Sequence, residues 1–249
     1  MDMTTNLIAA APVRLLILDC DGVLIDSEPL AAQADALAIR KTSRTGVRPS
    51  ADELMRRFTG KSSAAMVGLL RSDYGVEDVG AWVEAKARVL DELFRRSLRP
   101  VRGVLETLAA FDEAGLAFCV ASNSGRTRLR TAFEATGLTD RLRGRWFSAE
   151  EVSEGKPAPD LHLHAAARMG FAPEECLVVD DSPTGILGAR RAGMRAWGFT
   201  GVNRLGAAWE RDLLDAGAER LVSDFTVLLE LCSDADLCNR NLDDRRVVV

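Results

Sequence analysis

The sequence predicts an α/β protein, a doubly wound parallel sheet with an inserted, all-helical cap domain. Short apolar runs of strand length recur along the 249 residues, and stretches with helical spacing separate most of them. The runs are too apolar for exposed strands, as expected when helices cover both faces of a parallel sheet. One long interval, from about Ser27 to Leu98, breaks this alternation because it contains helical patterns and no strand signal.

Six apolar runs predict the strands of the sheet. Each is bounded by turn-forming or acidic residues, and together they span Arg14–Asp19, Leu116–Asn123, Arg145–Ser148, Cys176–Asp181, Arg195–Thr200 and Glu219–Asp224. Between most of them, apolar residues recur at intervals of three and four positions, as at Val104, Leu108 and Phe111. This spacing places the apolar side chains on one face of a helix, so strands and helices alternate.

The interval between the first two strands predicts a separate helical domain. The stretch "SADE" (Ser50–Glu53) is typical of a capping box at the start of a helix, and Pro100 and Gly103 mark the return to the sheet. We therefore expect residues 11–27 and 99–232 to form the core domain and residues 28–98 to form a helical cap. The polar segment 233–249 predicts a mobile tail.

Composition and charge exclude several classes of partner. The chain is 47% hydrophobic, enough for a globular core, and its net charge of -5 offers no broad basic surface. We therefore expect no nucleic-acid or membrane partner, and no apolar run approaches the length of a membrane span. The five cysteines are scattered, without a disulfide or zinc pattern. These features predict a cytoplasmic protein, and we expect a monomer or a weak homodimer.

Two acidic pairs lie at the ends of predicted strands, Asp19 with Asp21 at the first and Asp180 with Asp181 at the fourth. In doubly wound sheets, ligands bind beyond the carboxyl ends of the strands, where both pairs would lie. If extended backbone continues through "DCD", its two-residue period directs Asp19 and Asp21 to one side. Carboxylates this close repel one another unless a cation joins them, and oxygen ligands suit Mg²⁺. This edge therefore predicts a Mg²⁺ site.

Polar and basic residues are expected at the same edge of the sheet. Ser122, Asn123 and Ser124 end the second predicted strand, and Lys156 lies in "SEGKPAPD". Hydroxyl, amide and ammonium donors that face a carboxylate–metal cluster describe a receptor for a phosphoryl group.

Four motifs, in order and at typical spacing, resemble those of the haloacid dehalogenase-like (HAD) hydrolase superfamily. They are "DCDGVLIDSE", "ASNS", "GKPAPD" and "VVDDSPTGILGARRAGM". The resemblance covers about residues 13–230 and is to the branch with a helical cap after the first motif, which includes β-phosphoglucomutase-like and phosphoglycolate phosphatase-like proteins. Each motif alone is weak, but the four together are highly specific. The resemblance implies a Rossmannoid core.

The resemblance also implies a role for each matching residue. Asp19 matches the nucleophile that forms an aspartyl-phosphate, and Asp21 matches the acid/base that protonates the leaving oxygen and then activates water. Ser122, with Asn123 beside it, matches the motif that holds phosphoryl oxygens. Lys156 matches the ammonium that neutralises the nucleophile and the phosphate.

The metal ligands implied are Asp19, Asp21, Asp180 and Asp181, with Mg²⁺ as the cofactor. The implied function is a Mg²⁺-dependent phosphatase that acts on a small phosphorylated metabolite, such as a sugar phosphate. Three alternatives share part of the pattern. A phosphosugar mutase of the β-phosphoglucomutase type uses the same core and retains the phosphate. Dehalogenation at carbon would not need Asp21 or metal ligands. A phospho-accepting signalling receiver is shorter, lacks a helical insertion and carries its acceptor on a middle strand.

Two other catalytic patterns are disfavoured. The "GKS" at Gly60–Ser62 resembles the end of a P-loop, but Met55 stands where that loop needs a glycine. The chain has two histidines, His162 and His164, and their spacing on a helix points them in different directions. A shared metal is therefore improbable, and a Ser-His-Asp triad is nearly excluded.

The cap loop "FTGKSSAAM" predicts the substrate contacts, with Thr59, Gly60, Lys61 and Ser62 as candidate substrate-binding residues. β-Phosphoglucomutase-like caps typically present a lysine and an arginine in a "KGxSR" loop. Thr59 stands at the position of that lysine and Ser63 at that of the arginine, although Lys61 adds a charge. Fewer cationic donors weaken the grip on a second phosphate, which favours a phosphatase over a mutase.

Overall fold

A computed structural model describes residues 12–58, 63–202 and 205–233, and within them six strands form one parallel sheet. The strands are β1 (Leu15–Leu18), β2 (Ala117–Ser122), β3 (Trp146–Ser148), β4 (Cys176–Asp180), β5 (Arg195–Phe199) and β6 (Leu221–Val222). Each strand lies within one of the six predicted runs. The predicted parallel sheet is therefore confirmed.

The strand order across the sheet is β3-β2-β1-β4-β5-β6, so β1 lies between β2 and β4. Leu18 is in register with Val120 of β2 and Val179 of β4. The backbone N–H of Asp19 continues this pairing by donating to the carbonyl of Val179 at 2.9 Å. After β1 the chain forms β2 and β3 on one side of β1, and it then forms β4, β5 and β6 on the other side. Such a change of side leaves a crevice at the carboxyl ends of the strands.

Helices account for most of the remaining described residues. They are α1 (Glu28–Thr42), α2 (Ala51–Phe58), α3 (Ser63–Ser72), α4 (Val79–Ser97), α5 (Val104–Ala114), α6 (Arg126–Thr136), α7 (Asp160–Met169), α8 (Pro183–Arg191), α9 (Ala207–Asp215) and α10 (Phe225–Ser233). Helix α2 begins after Ser50, whose hydroxyl accepts a hydrogen bond from the backbone N–H of Glu53 at 3.1 Å, as the capping motif predicts.

Both faces of the sheet are covered by helices, which explains why the strands are continuously apolar. On one face, α7 and α8 bury Leu161 and Ile186 in the same cluster as Ile17. On the other face, Phe111 of α5 lies 6.2 Å from Phe118 of β2 between ring centroids, and α10 provides a similar aromatic contact to β5. The strands are therefore packed against helices on both faces.

The described residues divide into two compact units. A sheet unit contains the residues up to Leu24, Val101–Arg126 and those from Leu142 onward, and a helical unit contains Ile25–Pro100 and Thr127–Arg141. The segment Thr127–Arg141 is thus grouped with the helical unit, although the sequence analysis assigns it to the core domain. The exact domain boundaries stay a prediction.

Side-chain contacts within the helical unit explain this grouping. The hydroxyl of Thr131 on α6 donates to the carboxylate of Asp91 on α4 at 3.0 Å. The guanidinium of Arg128 lies 5.4 Å from the ring centroid of Phe94, also on α4. Both contacts join residues more than thirty positions apart, so no local pattern in the sequence indicates them.

The helical unit has its own apolar core and an ion pair in which the carboxylate is buried. Ile39, Leu54 and Trp82 belong to this core, from α1, α2 and α4. Asp35 of α1 is 5% exposed, and its Oδ1 lies 2.8 Å from Nζ of Lys86 on α4. Burial raises the pKa of Asp35, and the ammonium of Lys86 opposes that rise. The pair therefore joins the two helices at a position where an unpaired carboxylate would be costly.

Among the described residues, no helix combines the length and the apolar character that crossing a bilayer requires. Helix α10 extends to Ser233, and the rest of the predicted tail, residues 234–249, lies outside the described residues.

Replacing Lys86 by methionine should lower the free energy of unfolding by roughly 3 kcal/mol at neutral pH, because the charged carboxylate of Asp35 then stays buried without the Lys86 ammonium. Urea unfolding followed by circular dichroism measures this loss. The matched control is Lys41→Met, at an exposed position on α1. The folded-state pKa of Asp35 is raised, so its protonated form is stabilised and the deficit should shrink as the pH falls towards 4. Equal stability of the two variants at pH 7 would contradict this prediction.

Candidate active site

A buried lysine bridges two carboxylates at the carboxyl end of the sheet. Nζ of Lys156 lies 2.6 Å from Oδ1 of Asp19 and 2.7 Å from Oδ2 of Asp180. The three side chains are 3%, 11% and 1% exposed for Lys156, Asp19 and Asp180. The structure thus brings together three residues that lie in three of the four sequence motifs.

The loop that carries Lys156 is held by the end of β2. The side chain of Asn123 accepts a hydrogen bond from the backbone N–H of Lys156 at 2.8 Å and donates to its carbonyl at 3.0 Å. Further along, Arg191 donates to the carbonyl of Pro157 at 3.0 Å. Side chains from two other parts of the chain therefore hold the backbone of this loop.

Both oxygens of the Asp180 carboxylate accept hydrogen bonds. Its Oδ1 accepts hydrogen bonds from the backbone N–H of Ser182 at 2.9 Å and from the Ser182 hydroxyl at 2.7 Å, while Oδ2 accepts from Lys156. The same hydroxyl caps α8 by accepting from the N–H of Gly185. A Cβ at Gly185 would collide with the Asp180 carboxylate, so this position needs glycine.

The charged groups of this buried cluster perturb one another. Burial raises the pKa of Asp19 to about 7; Lys156 opposes this rise, and the carboxylates of Asp180 and Asp21 add to it. Burial alone would also raise the pKa of Asp180, but Lys156 and Ser182 outweigh it and the pKa lies below its ordinary value. For Lys156, burial acts to lower the pKa, and the two carboxylates reverse this. The carboxylates of Asp19, Asp21 and Asp180 thus interact with a single ammonium, so formal negative charge exceeds positive charge in this cluster.

Three carboxylates form a group that could hold a metal ion. Ligand oxygens of Asp19, Asp180 and Asp181 all lie within 4.8 Å of one another. A Cβ at Gly22, whose φ is 79°, would collide with the Asp181 carboxylate, so the backbone approaches this carboxylate closely. An all-oxygen donor set with excess negative charge fits a hard divalent cation such as Mg²⁺.

Asp21 lies outside that group of ligands among the described residues. Its Oδ2 accepts a hydrogen bond of 2.6 Å from the hydroxyl of Ser124. Strand β1 ends at Leu18 and a turn begins at Cys20, so the extended backbone assumed through "DCD" is not continued. The carboxylate of Asp21 is held by the loop after β2, and its role as a metal ligand stays a prediction.

Ser122, the last residue of β2, is 2% exposed, and its hydroxyl accepts from the backbone N–H of Ser124 at 3.1 Å. The carbonyl of Ser124 in turn accepts from the hydroxyl of Ser148, at the end of β3, at 2.7 Å. The loop "SNS" is thus held in a compact turn by its own hydroxyl and by the adjacent strand. Thr59, Gly60, Lys61 and Ser62, the predicted substrate-binding residues of the cap, lie outside the described residues.

Sequence reasoning missed the roles of Ser182, Ser124 and Trp209. Ser182 precedes a proline at the first position of α8, which is a recognisable cap signal. Ser124 lies in the second motif, but its contact with Asp21 spans 103 residues. Trp209 of α9 donates its indole N–H to the carbonyl of Asp181 at 2.8 Å, and no motif indicates this contact.

The two histidines do not form a catalytic pair. His162 is completely buried, and burial, together with the nearby Lys156, lowers its pKa to about 3. It is therefore neutral at physiological pH. His164 packs its ring edge-on against Phe147 at 5.4 Å.

Comparison with known proteins supports the resemblance read from the four motifs. The family model of haloacid dehalogenase-like hydrolases matches residues 13–193. A phosphorylated carbohydrates phosphatase of Thermotoga maritima is 29% identical over 87% of this chain and 97% of its own length. A beta-phosphoglucomutase of Mycobacterium bovis is 32% identical over 87% and 92%.

The fold is also that of solved relatives. A crystal structure of a conserved haloacid dehalogenase-like protein from Agrobacterium tumefaciens superposes with a TM-score of 0.75 at 32% identity, covering 88% of this chain and 97% of that one. The family predicted from the motifs is confirmed by these matches. The chain belongs to the haloacid dehalogenase-like hydrolase family.

Proposed function

We propose that this hydrolase is a Mg²⁺-dependent phosphatase that releases inorganic phosphate from a small phosphorylated metabolite through an aspartyl-phosphate on Asp19. The protein is an enzyme of the phosphoric monoester hydrolase type, in keeping with its family. The observation that carries the proposal is the buried Lys156 ammonium, which lies between Asp19 and Asp180 with Asp181 beside them. This arrangement orients one carboxylate for attack and supplies positive charge for an incoming phosphoryl group.

In the first half-reaction, a carboxylate oxygen of Asp19 attacks phosphorus. A bond forms between that oxygen and phosphorus, and the bond from phosphorus to the leaving oxygen breaks. Asp21, in its protonated form, gives its proton to the leaving oxygen, and the Ser124 hydroxyl fixes the orientation of the Asp21 carboxyl. Ser122 lies at the end of the adjacent strand, and the loop that follows it provides donors for the phosphoryl oxygens.

In the second half-reaction, Asp21 is a carboxylate and accepts a proton from water. The water oxygen bonds to phosphorus, the bond to the Asp19 oxygen breaks, and inorganic phosphate leaves. Lys156 stays hydrogen-bonded to Asp19, so it neutralises the carboxylate that is regenerated. No group other than water is consumed in this cycle.

Asp19, Asp180 and Asp181 would hold Mg²⁺, because their oxygens are close together and carry more negative charge than Lys156 compensates. Asp181 is the most exposed of the three carboxylates, and Asp19 and Asp180 are buried. When bound, the ion would supply positive charge that stabilises the phosphoryl oxygens. Asp21 would contribute from outside the carboxylate group, as the proton donor described above.

The substrate we propose is a sugar phosphate or a related polyol or acid phosphate. The relative from Thermotoga maritima is named for phosphorylated carbohydrates and matches this chain over most of both lengths. Selection among such compounds would fall to the cap loop, whose proposed contacts are Thr59, Gly60, Lys61 and Ser62. We further propose that the enzyme acts in the cytoplasm as a monomer or a weak homodimer.

A phosphosugar mutase is the second candidate, since the relative from Mycobacterium bovis is named beta-phosphoglucomutase. A mutase uses the same core and must also hold a bisphosphorylated intermediate by its distal phosphate. In the cap loop of this chain, Thr59 and Ser63 occupy the positions at which β-phosphoglucomutase-like caps typically carry a lysine and an arginine. We therefore favour water as the acceptor of the phosphoryl group.

Replacing Asp19 by asparagine should reduce the release of phosphate from p-nitrophenyl phosphate by at least about 10³-fold, because the nucleophile is lost. Circular dichroism should show that the variant is folded, because Asp180 still pairs with Lys156. Asp215→Asn, at an exposed position on α9, is the matched control and should retain full activity. Near wild-type turnover by Asp19→Asn would rule out the proposed nucleophile.

Asp21→Asn tests the covalent intermediate separately. Nitrophenolate leaves without a proton donor, so the first half-reaction should proceed while attack by water slows by roughly 10²–10⁴-fold. Rapid mixing should show a burst of nitrophenolate equal to the enzyme concentration, followed by slow turnover. A linear time course at the wild-type rate would contradict the role of Asp21.

Removal of divalent metal by chelation should abolish activity, and Mg²⁺ should restore it. Ca²⁺ should restore little, because its larger and more flexible coordination shell misplaces the nucleophile. Asp181→Asn should raise the Mg²⁺ concentration needed for half-maximal activity, with Asp215→Asn as control. Full activity after exhaustive chelation would refute the metal requirement.

Incubation with β-glucose 1-phosphate and a trace of glucose 1,6-bisphosphate separates the two candidate functions. We expect steady release of inorganic phosphate from a panel of sugar phosphates with no need for the bisphosphate, because water takes the phosphoryl group. Coupled assays for inorganic phosphate and glucose 6-phosphate measure both products. Rapid formation of glucose 6-phosphate with little free phosphate would establish the mutase instead.

A further inference from the structure

Asn123 makes two hydrogen bonds to the backbone of Lys156, and we propose that it is a positioning residue that acts through Lys156. The resemblance to the family implies instead that Asn123, beside Ser122, holds phosphoryl oxygens. The proposal rests on the proposed function, in which the Lys156 ammonium neutralises Asp19 and the phosphoryl group.

The two bonds fix the peptide backbone of one residue in both position and orientation. Oδ1 of Asn123 accepts from the Lys156 N–H at 2.8 Å, and Nδ2 donates to the Lys156 carbonyl at 3.0 Å. The two bonds resemble the backbone pairing between adjacent β-strands, except that the Asn123 side chain takes the place of one strand. Because Asn123 directly follows β2, these hydrogen bonds attach the loop that carries Lys156 to the end of a strand of the sheet.

This restraint matters because a lysine side chain has four rotatable bonds between its backbone and its ammonium. Nζ of Lys156 must reach Asp19 and Asp180 at 2.6 and 2.7 Å at the same time. A displacement of the ammonium by about 1 Å would lengthen at least one of these bonds beyond hydrogen-bonding distance. Misplacement on that scale in an active site can cost about 10²-fold in rate.

Gly155 provides an independent way to disturb the same contact. A Cβ at this position would lie 2.6 Å from Oδ1 of Asn123 and 3.0 Å from Cβ of Ala149. Gly155→Ala should therefore displace the Asn123 amide while leaving its chemistry in place. Gly68→Ala is the matched control, because a Cβ at Gly68 meets nothing within 4 Å.

The position of Lys156 can be followed without substrate, since the chain contains four lysines, Lys41, Lys61, Lys86 and Lys156. In protein labelled with ¹³C-lysine, Lys156→Met identifies the side-chain signal of Lys156. Asn123→Ala and Gly155→Ala should each move that signal towards the signal of the exposed Lys41. Gln33→Ala, which removes an exposed amide on α1, should leave it in place. An unchanged Lys156 signal in Asn123→Ala overturns the proposal, and if that variant does not fold, Gly155→Ala decides.

Kinetics distinguish positioning from direct contact with substrate. Asn123→Ala should lower kcat by about 10²-fold with a smaller change in KM. Added to Lys156→Met, it should cause no further loss, because the group through which it acts is already gone. If Asn123→Ala raises KM by the same factor in the wild-type protein and in Lys156→Met, Asn123 contacts the substrate itself and the proposal is overturned. If the wild-type protein hydrolyses no phosphate ester, the proposed function fails, and the lysine spectra alone still support or overturn the positioning role.

Discussion

A single buried ammonium constrains the architecture of this site. Taking the charge of Lys156 out of water is costly, and only close carboxylate partners with good hydrogen-bond geometry compensate for that cost. Asp19 and Asp180 meet this requirement at 2.6 and 2.7 Å. Their carboxylates can lie on either side of one ammonium because β1 and β4 are adjacent and end at the same level. The order of the strands is thus a precondition for the charge arrangement of the site.

Close approach of backbone and carboxylates is the second condition for this arrangement. Gly22 and Gly185 each lie where a Cβ would collide with an aspartate, Asp181 in the first case and Asp180 in the second. Ser182 then combines two tasks, since its hydroxyl caps α8 and also donates to Asp180. Such shared use of one side chain couples the local stability of a helix end to the orientation of a carboxylate.

The residues proposed for chemistry and those proposed for substrate selection belong to different parts of the chain. The residues proposed for phosphoryl transfer belong to the sheet unit, and the loop proposed for selection follows α2 in the helical unit. Relatives named as a phosphatase and as a mutase match this chain over similar lengths, which agrees with a common core that serves both reactions. The identity of the phosphoryl acceptor would then depend on a few charges in the cap loop.

The sequence by itself determined the six strands, the family and the clustering of Asp19, Lys156 and Asp180. Apolar runs and motif spacing are local properties, so they can be recognised in the sequence alone. The tertiary structure alone decided the contact of Asp21 with Ser124, the attachment of Asn123 to the backbone of Lys156 and the grouping of Thr127–Arg141 with the helical unit. These features join residues 33 to 103 positions apart. Each depends on where a strand ends and how the following loop turns. At Cys20 the chain forms a turn, whereas the prediction that Asp19 and Asp21 point to one side assumes extended backbone.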